Sequence, residues 1–241
     1  KRQRIRNAVP SGEKPRQRAE TSKELPRSVA MLKKRLVFTL LFSGGYFMLS
    51  RNFRLQHVGD LDWLERNYVF SNIAEAIDEL VVLNVSRGQA RMDQFCQMLE
   101  HLTSECFIPI AAGGCVHNVQ EARQLLHSGA DKVVVNTPLF GKSQLVEHLA
   151  EEFGRQCIVA AVDLSRSQDG AFEVRVEGGR RALPGTASEW LNMIRGKPIG
   201  DVYLNSIDRD GTGQGFDTGL LDQLPQDFQV PVILAGGAGN V

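Results

Sequence analysis

The sequence predicts an α/β protein built as a (β/α)8 barrel from two similar halves, and three observations lead to this fold class. Short β-branched runs alternate with amphipathic segments of helix length, which is typical of a parallel sheet. Two apolar runs that end in a Gly-Gly pair, at 113–114 and 236–237, recur 123 residues apart. The similar segments 78–88 and 201–211 recur at nearly the same interval. A repeat of this kind favours a closed barrel of two half-barrels over the alternative, an open doubly wound sheet.

Hydrophobic periodicity assigns the elements between these landmarks. Strands are predicted at 35–41, 79–84, 108–112, 132–136, 157–163, 201–206 and 230–235. Helices are predicted near 62–75, 89–103, 118–128, 142–153, 186–195 and 218–224. In helix 118–128 the apolar residues fall at helical spacing, Asn118 is in the N-cap position, and Gly129 follows as a stop. The polar segment 164–184 predicts an inserted hairpin that turns at Asp169-Gly170.

Composition divides the chain into a tail and a barrel. Residues 1–30 carry nine Lys or Arg against three Asp or Glu, with three prolines and almost no large apolar residue. Such a segment cannot offset the entropy of ordering, so we expect a disordered tail or an extension that is not native to the protein. Residues 31–241 form the barrel. Eight-stranded barrels usually need ~250 residues, so we expect this one to stop before its eighth strand.

Several functional classes are disfavoured by the same composition. No uninterrupted apolar run is long enough to span a membrane. The basic tail has no interleaved aromatic residue for stacking on nucleic-acid bases. The four cysteines show neither CxxC pairing nor metal-ligand spacing, which is typical of reduced thiols in a cytosolic protein. We therefore predict a cytoplasmic protein without a metal or another cofactor.

Loops that follow the predicted strands carry the candidate chemistry. The segments 112–115, 136–138 and 235–239 are rich in glycine and small polar residues, which lets backbone N–H groups surround a phosphate. Tight βα turns are the structural alternative. The charged loop 206–212 offers Asp210 and Thr212 to a sugar hydroxyl or to a phosphate loop. Asp163 ends an apolar strand, where a carboxylate can act as a general acid or base or cap a helix.

Together these strings resemble the cyclase subunit of imidazole glycerol phosphate synthase. The resemblance extends over 31–241 and is most specific at 34–35, 78–80, 129–132, 136–137 and 206–212. It implies a (β/α)8 barrel with two half-barrel repeats and a heterodimer with a glutaminase subunit. Ammonia released by the glutaminase would travel through the barrel and attack a bis-phosphorylated nucleotide at the opposite face.

The resemblance also implies roles for individual residues. Asp163 matches one of the family's two catalytic aspartates, so it would be the catalytic residue. One phosphate of the substrate would bind at Gly113, Gly114, Asn136 and Thr137. The other phosphate would bind at Asp210, Gly211, Gly236 and Gly237. The ammonia gate at the bottom of the barrel would consist of Arg35, Glu79, Lys132 and Asp201.

Four positions depart from the pattern of that family. Leu41 stands where the family has a second catalytic aspartate, and Leu49 stands where it has an active-site lysine. Asn84 replaces an acidic residue, and Cys115 replaces a glycine of the first phosphate loop. Because leucine cannot transfer a proton, we expect ordinary cyclase activity to be impaired.

The pattern around Leu41 is more similar to a divergent branch of the family, encoded in lipopolysaccharide O-antigen clusters. That branch is thought to supply ammonia for the amidination of a sugar nucleotide, a role that needs the gate but not both aspartates. Two alternatives stay open. The first is a working imidazole glycerol phosphate synthase cyclase of histidine biosynthesis, with Asp208 or Asp210 as its second acid. The second is a non-catalytic scaffold that activates a glutaminase.

Overall fold

A computed structural model of the chain describes residues 34–67, 76–87 and 91–239. The predicted tail 1–30 lies outside the described residues. The strands are β1 Val37–Ser43, β2 Tyr46–Arg51, β3 Arg54–Gly59, β4 Glu79–Asn84, β5 Ile110–Gly113, β6 Lys132–Val135, β7 Ile158–Arg166, β8 Phe172–Val176, β9 Arg181–Ala182, β10 Asp201–Ser206 and β11 Val232–Ala235. The helices are α1 Leu61–Asn67, α2 Met92–Glu105, α3 Val119–His127, α4 Leu145–Phe153 and α5 Ala187–Arg195. Short 3-10 helices cover Thr137–Phe140, Arg155–Cys157 and Thr218–Gln223.

The parallel strands follow one another around the sheet in the order in which they occur in the chain. The order is β1, β4, β5, β6, β7, β10 and β11, and each strand is hydrogen-bonded to the next. A doubly wound sheet reverses its order at a switch point, and this sheet does not. The structure therefore has the progression of a (β/α)8 barrel, as the sequence predicts.

The sheet is curled, because residues at distant strands meet. β1 and β10 are five strand steps apart, which in a flat sheet would separate them by about 24 Å. Yet the guanidinium Nη2 of Arg35, just before β1, is 2.9 Å from Oδ1 of Asp201 at the start of β10. The strands therefore enclose a lumen.

Strand pairing reveals the two-half repeat in register. The β1–β4 pair aligns Val37 with Glu79, and the β7–β10 pair aligns Val159 with Asp201, each residue displaced by 122 positions. The β4–β5 and β10–β11 pairs obey the same displacement. Backbone hydrogen bonds repeat as well, since 78 N to 36 O at 2.8 Å corresponds to 200 N to 158 O at 2.9 Å.

The register corrects two equivalences expected from the sequence. The similar segments 78–88 and 201–211 each contain one asparagine, Asn84 and Asn205, which a sequence match would equate, but the strand register makes Asn84 equivalent to Ser206. Gly114, not Gly113, corresponds to Gly236. The physical reason is that backbone pairing fixes the alignment, whereas a Gly-Gly pair and a lone Asn each leave a one-residue ambiguity in the sequence.

Side chains alternate between the two faces of the sheet, as strand geometry requires. Strand residues on one face, such as Leu80 and Leu164, belong to a core cluster with helix residues that include Phe95, Leu99 and Leu125. The set on the other face fills the lumen and consists of Val81, Ala111, Val134, Val159, Ala161, Tyr203 and Ile233. The inward positions of each strand therefore define what a molecule inside the barrel would meet.

Most predicted helices are confirmed, with differences at their ends. Helix α3 begins after Asn118, whose Oδ1 accepts a hydrogen bond from Glu121 N at 2.9 Å, and Gly129 follows with φ of +100°. The predicted helix 62–75 coincides with α1 over its first part, and 68–75 lie outside the described residues. Segment 218–224 is a 3-10 helix rather than an α-helix.

Two hairpins project from the barrel at equivalent places in the two halves. The predicted hairpin 164–184 is confirmed, because β7, β8 and β9 pair antiparallel and Gly170 has φ of +84°. The strands predicted from the sequence omit β2 and β3, which the structure has between β1 and α1. After a turn at Gly44 and Gly45, both with positive φ, β2 pairs antiparallel with β1 and with β3. Each half thus extends its first strand into a hairpin.

Candidate functional site

The four residues predicted as an ammonia gate lie together at the bottom of the lumen. Arg35 contacts Glu79 and Asp201, and Lys132 contacts the same two carboxylates, with all four N···O distances at 2.9 Å. Glu79 and Asp201 are 2% and 5% exposed. Because β4, β6 and β10 each begin with one of these residues facing inward, the sequence positions converge at one level. We call this closed ring of two cations and two anions the floor ring.

The floor ring holds its charges despite burial. Burial acts to lower the pKa of Lys132, but hydrogen bonds to Asp201 and Glu79 outweigh it and raise the pKa above its ordinary value. The pKa of Arg35 is raised in the same way, against the effect of burial. Each carboxylate bridges both cations, so the ring is neutral as a whole and its buried oxygens are paired.

At the opposite end, Asp163 lies in the mouth of the barrel between two asparagines. Asn136 Nδ2 donates to Asp163 Oδ2 at 3.1 Å, and Asn205 Nδ2 donates to Oδ1 at 3.2 Å. Burial raises the pKa of Asp163 to about 6, the two amides oppose this shift, and the charge of Asp210 adds to it. A carboxyl group with this pKa can both donate and accept a proton near neutral pH.

The facing wall of the mouth is apolar. Leu41 pairs with Leu83 across β1 and β4 in the register that pairs Asp163 with Asn205 in the other half. Leu41 shares its face of β1 with Val37, which packs against the lumen residues. The mouth therefore has one polar side and one apolar side, and the pseudo-twofold symmetry of the backbone is not matched by its chemistry.

The first predicted phosphate set follows two adjacent strands, β5 and β6. Gly114 has φ of +85°, and a Cβ there would lie 2.1 Å from the carbonyl oxygen of Asn84, so only glycine fits. Gly113 ends β5 beside it. The polar side chains of this set have protein partners, because Asn136 binds Asp163 and Thr137 Oγ1 accepts from Glu177 N at 3.2 Å.

The second predicted set follows β10 and β11, which are also adjacent. Gly236 repeats the close approach of the first loop, with a hypothetical Cβ 2.5 Å from Ser206 O. Gly211 and Gly237 lie in the same pair of loops. The structure thus brings each set together at the carboxyl ends of neighbouring strands, on the side of the barrel where Asp163 lies.

Asp210 has a contact that the sequence did not reveal. Its Oδ2 accepts hydrogen bonds from the Ser50 hydroxyl and, at 3.0 Å, from Phe53 N. Asn52, at the same tip of the β2–β3 hairpin, donates to Ile207 O at 3.0 Å. The loop predicted to bind a sugar hydroxyl or phosphate therefore holds the hairpin tip across the mouth.

Three inward-facing residues were missed by sequence reasoning. Asn205 supports Asp163, and Tyr203 and Thr39 meet in the middle of the lumen with their hydroxyls 3.1 Å apart. Strand alternation was the available signal, because Asp201 was predicted to face inward and 203 and 205 share its face. Leu49, predicted at a lysine position of the active site, is 60% exposed on β2.

The described residues offer little support for other classes of site. No group of three or more His, Cys, Asp or Glu side chains is placed there to hold a metal ion. The four cysteines are all free thiols. Among the helices described, none has the length and apolar character needed to cross a membrane.

Comparison with known proteins agrees with this geometry. The family model described as "Histidine biosynthesis protein" matches residues 66–241. A protein of Parasynechococcus marenigrum named "Putative imidazole glycerol phosphate synthase subunit hisF2" is 39% identical over 210 residues, covering 87% of this chain and 78% of that protein. The imidazole glycerol phosphate synthase subunit HisF of Streptococcus gordonii is 35% identical over 211 residues, covering 87% of this chain and 82% of its own. The subunit of the same name from Chlorobium limicola is 34% identical over 212 residues, covering 88% of this chain and 82% of that protein. With this curled sheet, its internal repeat and these relatives, the chain belongs to the HisF family, the cyclase subunits of imidazole glycerol phosphate synthase.

Proposed function

We propose that this protein is the cyclase-like subunit of a glutamine amidotransferase of the imidazole glycerol phosphate synthase type. It receives ammonia from a partner glutaminase in a heterodimer and delivers it through the barrel for the amidination of a sugar nucleotide in O-antigen synthesis. The relatives' names describe subunits of a synthase, which supports a partner chain. We place this work in the cytoplasm, without a cofactor, a nucleic-acid partner or a membrane partner.

The observation that carries the proposal is an intact floor ring beneath a mouth that has lost one carboxylate. All four ion pairs of the ring are made at 2.9 Å. Asp163 is present, but the equivalent place in the other half holds Leu41. A protein that only conducts ammonia needs the ring and the lumen, whereas a full cyclase also needs proton transfer on both sides of its substrate.

The lumen above the floor ring suits neutral ammonia rather than ammonium. Its lining is almost entirely apolar, with Val81, Ala111, Val134, Val159 and Ala161 among the buried residues. Moving an unpaired ammonium ion into such surroundings is costly, while a small neutral molecule loses far less on dehydration. The floor ring itself is neutral as a whole and keeps bulk water out of the lower lumen.

At the mouth, Asp163 is the group that can exchange a proton with an amine or its acceptor. Its pKa of about 6 leaves it mostly ionised at pH 7, with an accessible protonated form. The two asparagine amides fix the direction of both carboxylate oxygens. We assign the glycine loops after β5 and β11 to the phosphates of the acceptor, because Gly114, Gly236 and Gly237 turn with positive φ at the carboxyl ends of strands, where successive backbone N–H groups can form a concave anion site.

A direct assay tests this function. Purified full-length protein is given the histidine-pathway nucleotide and an ammonium salt, and product formation is compared with that of a conventional HisF subunit. We expect a rate lower by roughly 10²-fold or more, the usual contribution of one positioned acid or base. Turnover at the rate of the conventional subunit would contradict the proposal.

The second candidate is a working histidine-biosynthetic cyclase. The retention of Asp163 between two amide donors favours it. The two residues that could replace the missing acid do not favour this candidate, because both are already engaged in structural contacts. Asp208 Oδ2 accepts a hydrogen bond from Arg166 N at 2.7 Å, and Asp210 holds the hairpin tip. Complementation of a cyclase-deficient strain decides the question, and growth without histidine would establish this candidate.

The third candidate is a non-catalytic scaffold that activates a glutaminase. It requires the floor ring but not the mouth, so glutaminase stimulation should be the same in wild type and in Asp163→Ala. A sugar-nucleotide amidination assay on the same pair of proteins separates it from the main proposal. If stimulation persists and no nitrogen reaches an acceptor in either protein, the scaffold role is the correct one.

A further inference from the structure

Tyr203 stands in the lumen midway between the floor ring and the mouth. The inward positions of β10 are Asp201, Tyr203 and Asn205, because alternate residues of a strand share a face. Asp201 belongs to the floor ring and Asn205 binds Asp163. Two residues of a strand span about 6.6 Å, so the backbone of Tyr203 lies roughly that far from the backbones of Asp201 and Asn205.

The hydroxyl of Tyr203 reaches β1 across the interior of the barrel. Its Oη is 3.1 Å from Oγ1 of Thr39, and either group can be the donor. β1 and β10 are five steps apart along the sheet, so this hydrogen bond does not run along the wall. Tyr203 is 5% exposed, and the contact satisfies two hydroxyls that the apolar lumen would otherwise leave unpaired.

The equivalent pair of described positions in the other half has no such bridge. At the displacement of 122 residues, Tyr203 corresponds to Val81 and Thr39 corresponds to Ala161. Neither valine nor alanine has a hydroxyl or the length to cross the lumen. The first half thus has the same strand register as the second without a tyrosine at this position, so the fold alone does not require the bridge.

We propose that Tyr203 and Thr39 form an inner gate, a closed septum across the lumen that ammonia must open on its way from the floor ring to Asp163. This inference rests on the proposed conduction of ammonia. Opening requires the hydroxyl–hydroxyl bond to break and the phenol ring to turn aside. Ammonia both donates and accepts hydrogen bonds, so it can replace each hydroxyl's lost partner during passage, whereas ammonium has no lone pair to offer Tyr203.

The septum carries no charge of its own. Burial raises the pKa of Tyr203 to about 12, the bond to Thr39 opposes this, and the charge of Asp163 adds to it. The phenol is therefore neutral at any working pH, and it selects by size and hydrogen bonding. The charged floor ring and the neutral septum act in series on the same path.

The first experiment needs neither the partner nor the acceptor. Crystals of full-length wild type and of Tyr203→Val, which copies Val81 of the other half, are exposed to xenon and examined for xenon or ordered water in the lumen. We expect density between the levels of Asp201 and Asn205 in the variant and none in the wild type. An unbroken column of water or xenon through the wild-type lumen would overturn the septum.

The second experiment measures passage. In the amidination assay reconstituted with the glutaminase, 15N-amide glutamine is compared with ammonium chloride, which reaches Asp163 from the mouth without crossing the lumen. Tyr203→Trp, too large to turn aside, should lower glutamine-dependent turnover at least tenfold and change ammonium-dependent turnover less than twofold. Tyr203→Val should retain glutamine-dependent turnover, and Tyr46→Trp, at a tyrosine of β2 that is 43% exposed, serves as the matched control.

The outcomes separate this inference from the proposed function. Equal loss with both nitrogen sources, or wild-type passage in Tyr203→Trp, would show that Tyr203 is not a gate. Absence of any glutamine-dependent amidination in the wild type would instead defeat the proposed function. In that case the xenon experiment still decides whether the lumen is closed at Tyr203.

Discussion

Leu41 and Asp163 occupy the same place in the two halves of the barrel. Leu41 pairs with Leu83, Asp163 pairs with Asn205, and both residues of the second pair lie 122 positions beyond those of the first. The mouth thus has a carboxyl group with a pKa of about 6 on one side and a hydrocarbon side chain on the other. This difference predicts what one substitution should restore.

Leu41→Asp should increase cyclase activity on the histidine-pathway nucleotide with ammonium as the nitrogen source. The new carboxylate would face Asp163 across the mouth, and a positioned acid or base contributes roughly 10²–10⁴-fold to a rate. We expect a gain of at least about 10²-fold in kcat, larger when combined with Leu49→Lys. Steady-state assays of product formation measure it.

The control for this gain is Leu41→Asn, which has nearly the same shape as the aspartate variant but cannot transfer a proton. Equal activity of the aspartate and asparagine variants would mean that polarity, not proton transfer, is what position 41 contributes. No gain in either variant would mean that other parts of the conventional site are absent as well.

Asp163→Asn should stabilise the protein in a pH-dependent way. The pKa of Asp163 is about 6 in the folded protein against an ordinary 3.8, so the folded state holds a proton that the unfolded state releases. This contribution to stability is complete below about pH 4 and is lost as the pH rises through 6. The full shift corresponds to roughly 3 kcal/mol.

The free energy of unfolding of Asp163→Asn should therefore exceed that of wild type by about 1–3 kcal/mol at pH 8 and match it near pH 4. Urea unfolding followed by circular dichroism at the two pH values measures the difference. Asp169→Asn is the control, because the pKa of that exposed turn residue is lowered by a hydrogen bond from Ser167. A gain in that variant at pH 8 would contradict the assignment to burial.

Lys132→Met should destabilise the barrel through the floor ring. The substitution leaves Glu79 and Asp201, both buried, with only Arg35 to neutralise them. Removing one partner of a buried ion pair typically costs about 3–5 kcal/mol, because the remaining charge is uncompensated. Chemical denaturation at neutral pH measures the loss.

Two companion variants make the Lys132 prediction specific. Lys142→Met removes an exposed lysine and should change the free energy of unfolding by less than about 0.5 kcal/mol. The double variant Lys132→Met/Glu79→Gln should recover part of the loss, because it removes the unpaired anion along with its partner. A double variant less stable than Lys132→Met would argue against electrostatic coupling in the ring.

The sequence was sufficient for the fold because the strands of this barrel are short, apolar and regularly spaced. It was insufficient after β1, where one apolar run continues into a hairpin through Gly44 and Gly45. Nothing in the local pattern distinguishes that run from a strand followed by a loop. The corresponding hairpin of the second half was predicted correctly, because its segment is polar and carries the turn pair Asp169-Gly170.

The candidate site was predictable to the extent that it depends on strand ends. Asp163 and the floor ring lie at such positions, and a resemblance to a known family identified them. The contacts of Asp210 were not predictable, because its partner Ser50 lies 160 residues away in the chain. The bridge between Thr39 and Tyr203 spans 164 residues, and no local pattern encodes a contact of that range.

Cys115 and Gly237 are equivalent positions of the two proposed phosphate loops with opposite expected responses to substitution. Cys115 has φ of +60°, a left-handed conformation that costs a side-chain-bearing residue about 1–2 kcal/mol. Cys115→Gly relieves this strain but gives the unfolded chain more freedom, an opposing effect of roughly 0.5–1 kcal/mol. We expect the free energy of unfolding to rise by up to about 1 kcal/mol.

Gly237→Cys should instead be strongly destabilising. Gly237 has φ of +97°, and a Cβ there would lie 2.2 Å from the carbonyl oxygen of Gly215. The two residues are also joined by a backbone hydrogen bond, which Gly215 N donates to Gly237 O at 2.7 Å. The clash is with backbone, so neither loop can relax without losing that bond, and a loss of more than about 2 kcal/mol is expected. Thermal and urea unfolding of the two reciprocal variants measure both effects. Similar stability changes in the two would mean that the loops tolerate side chains equally, and the close approach at Gly237 would then not constrain the second loop.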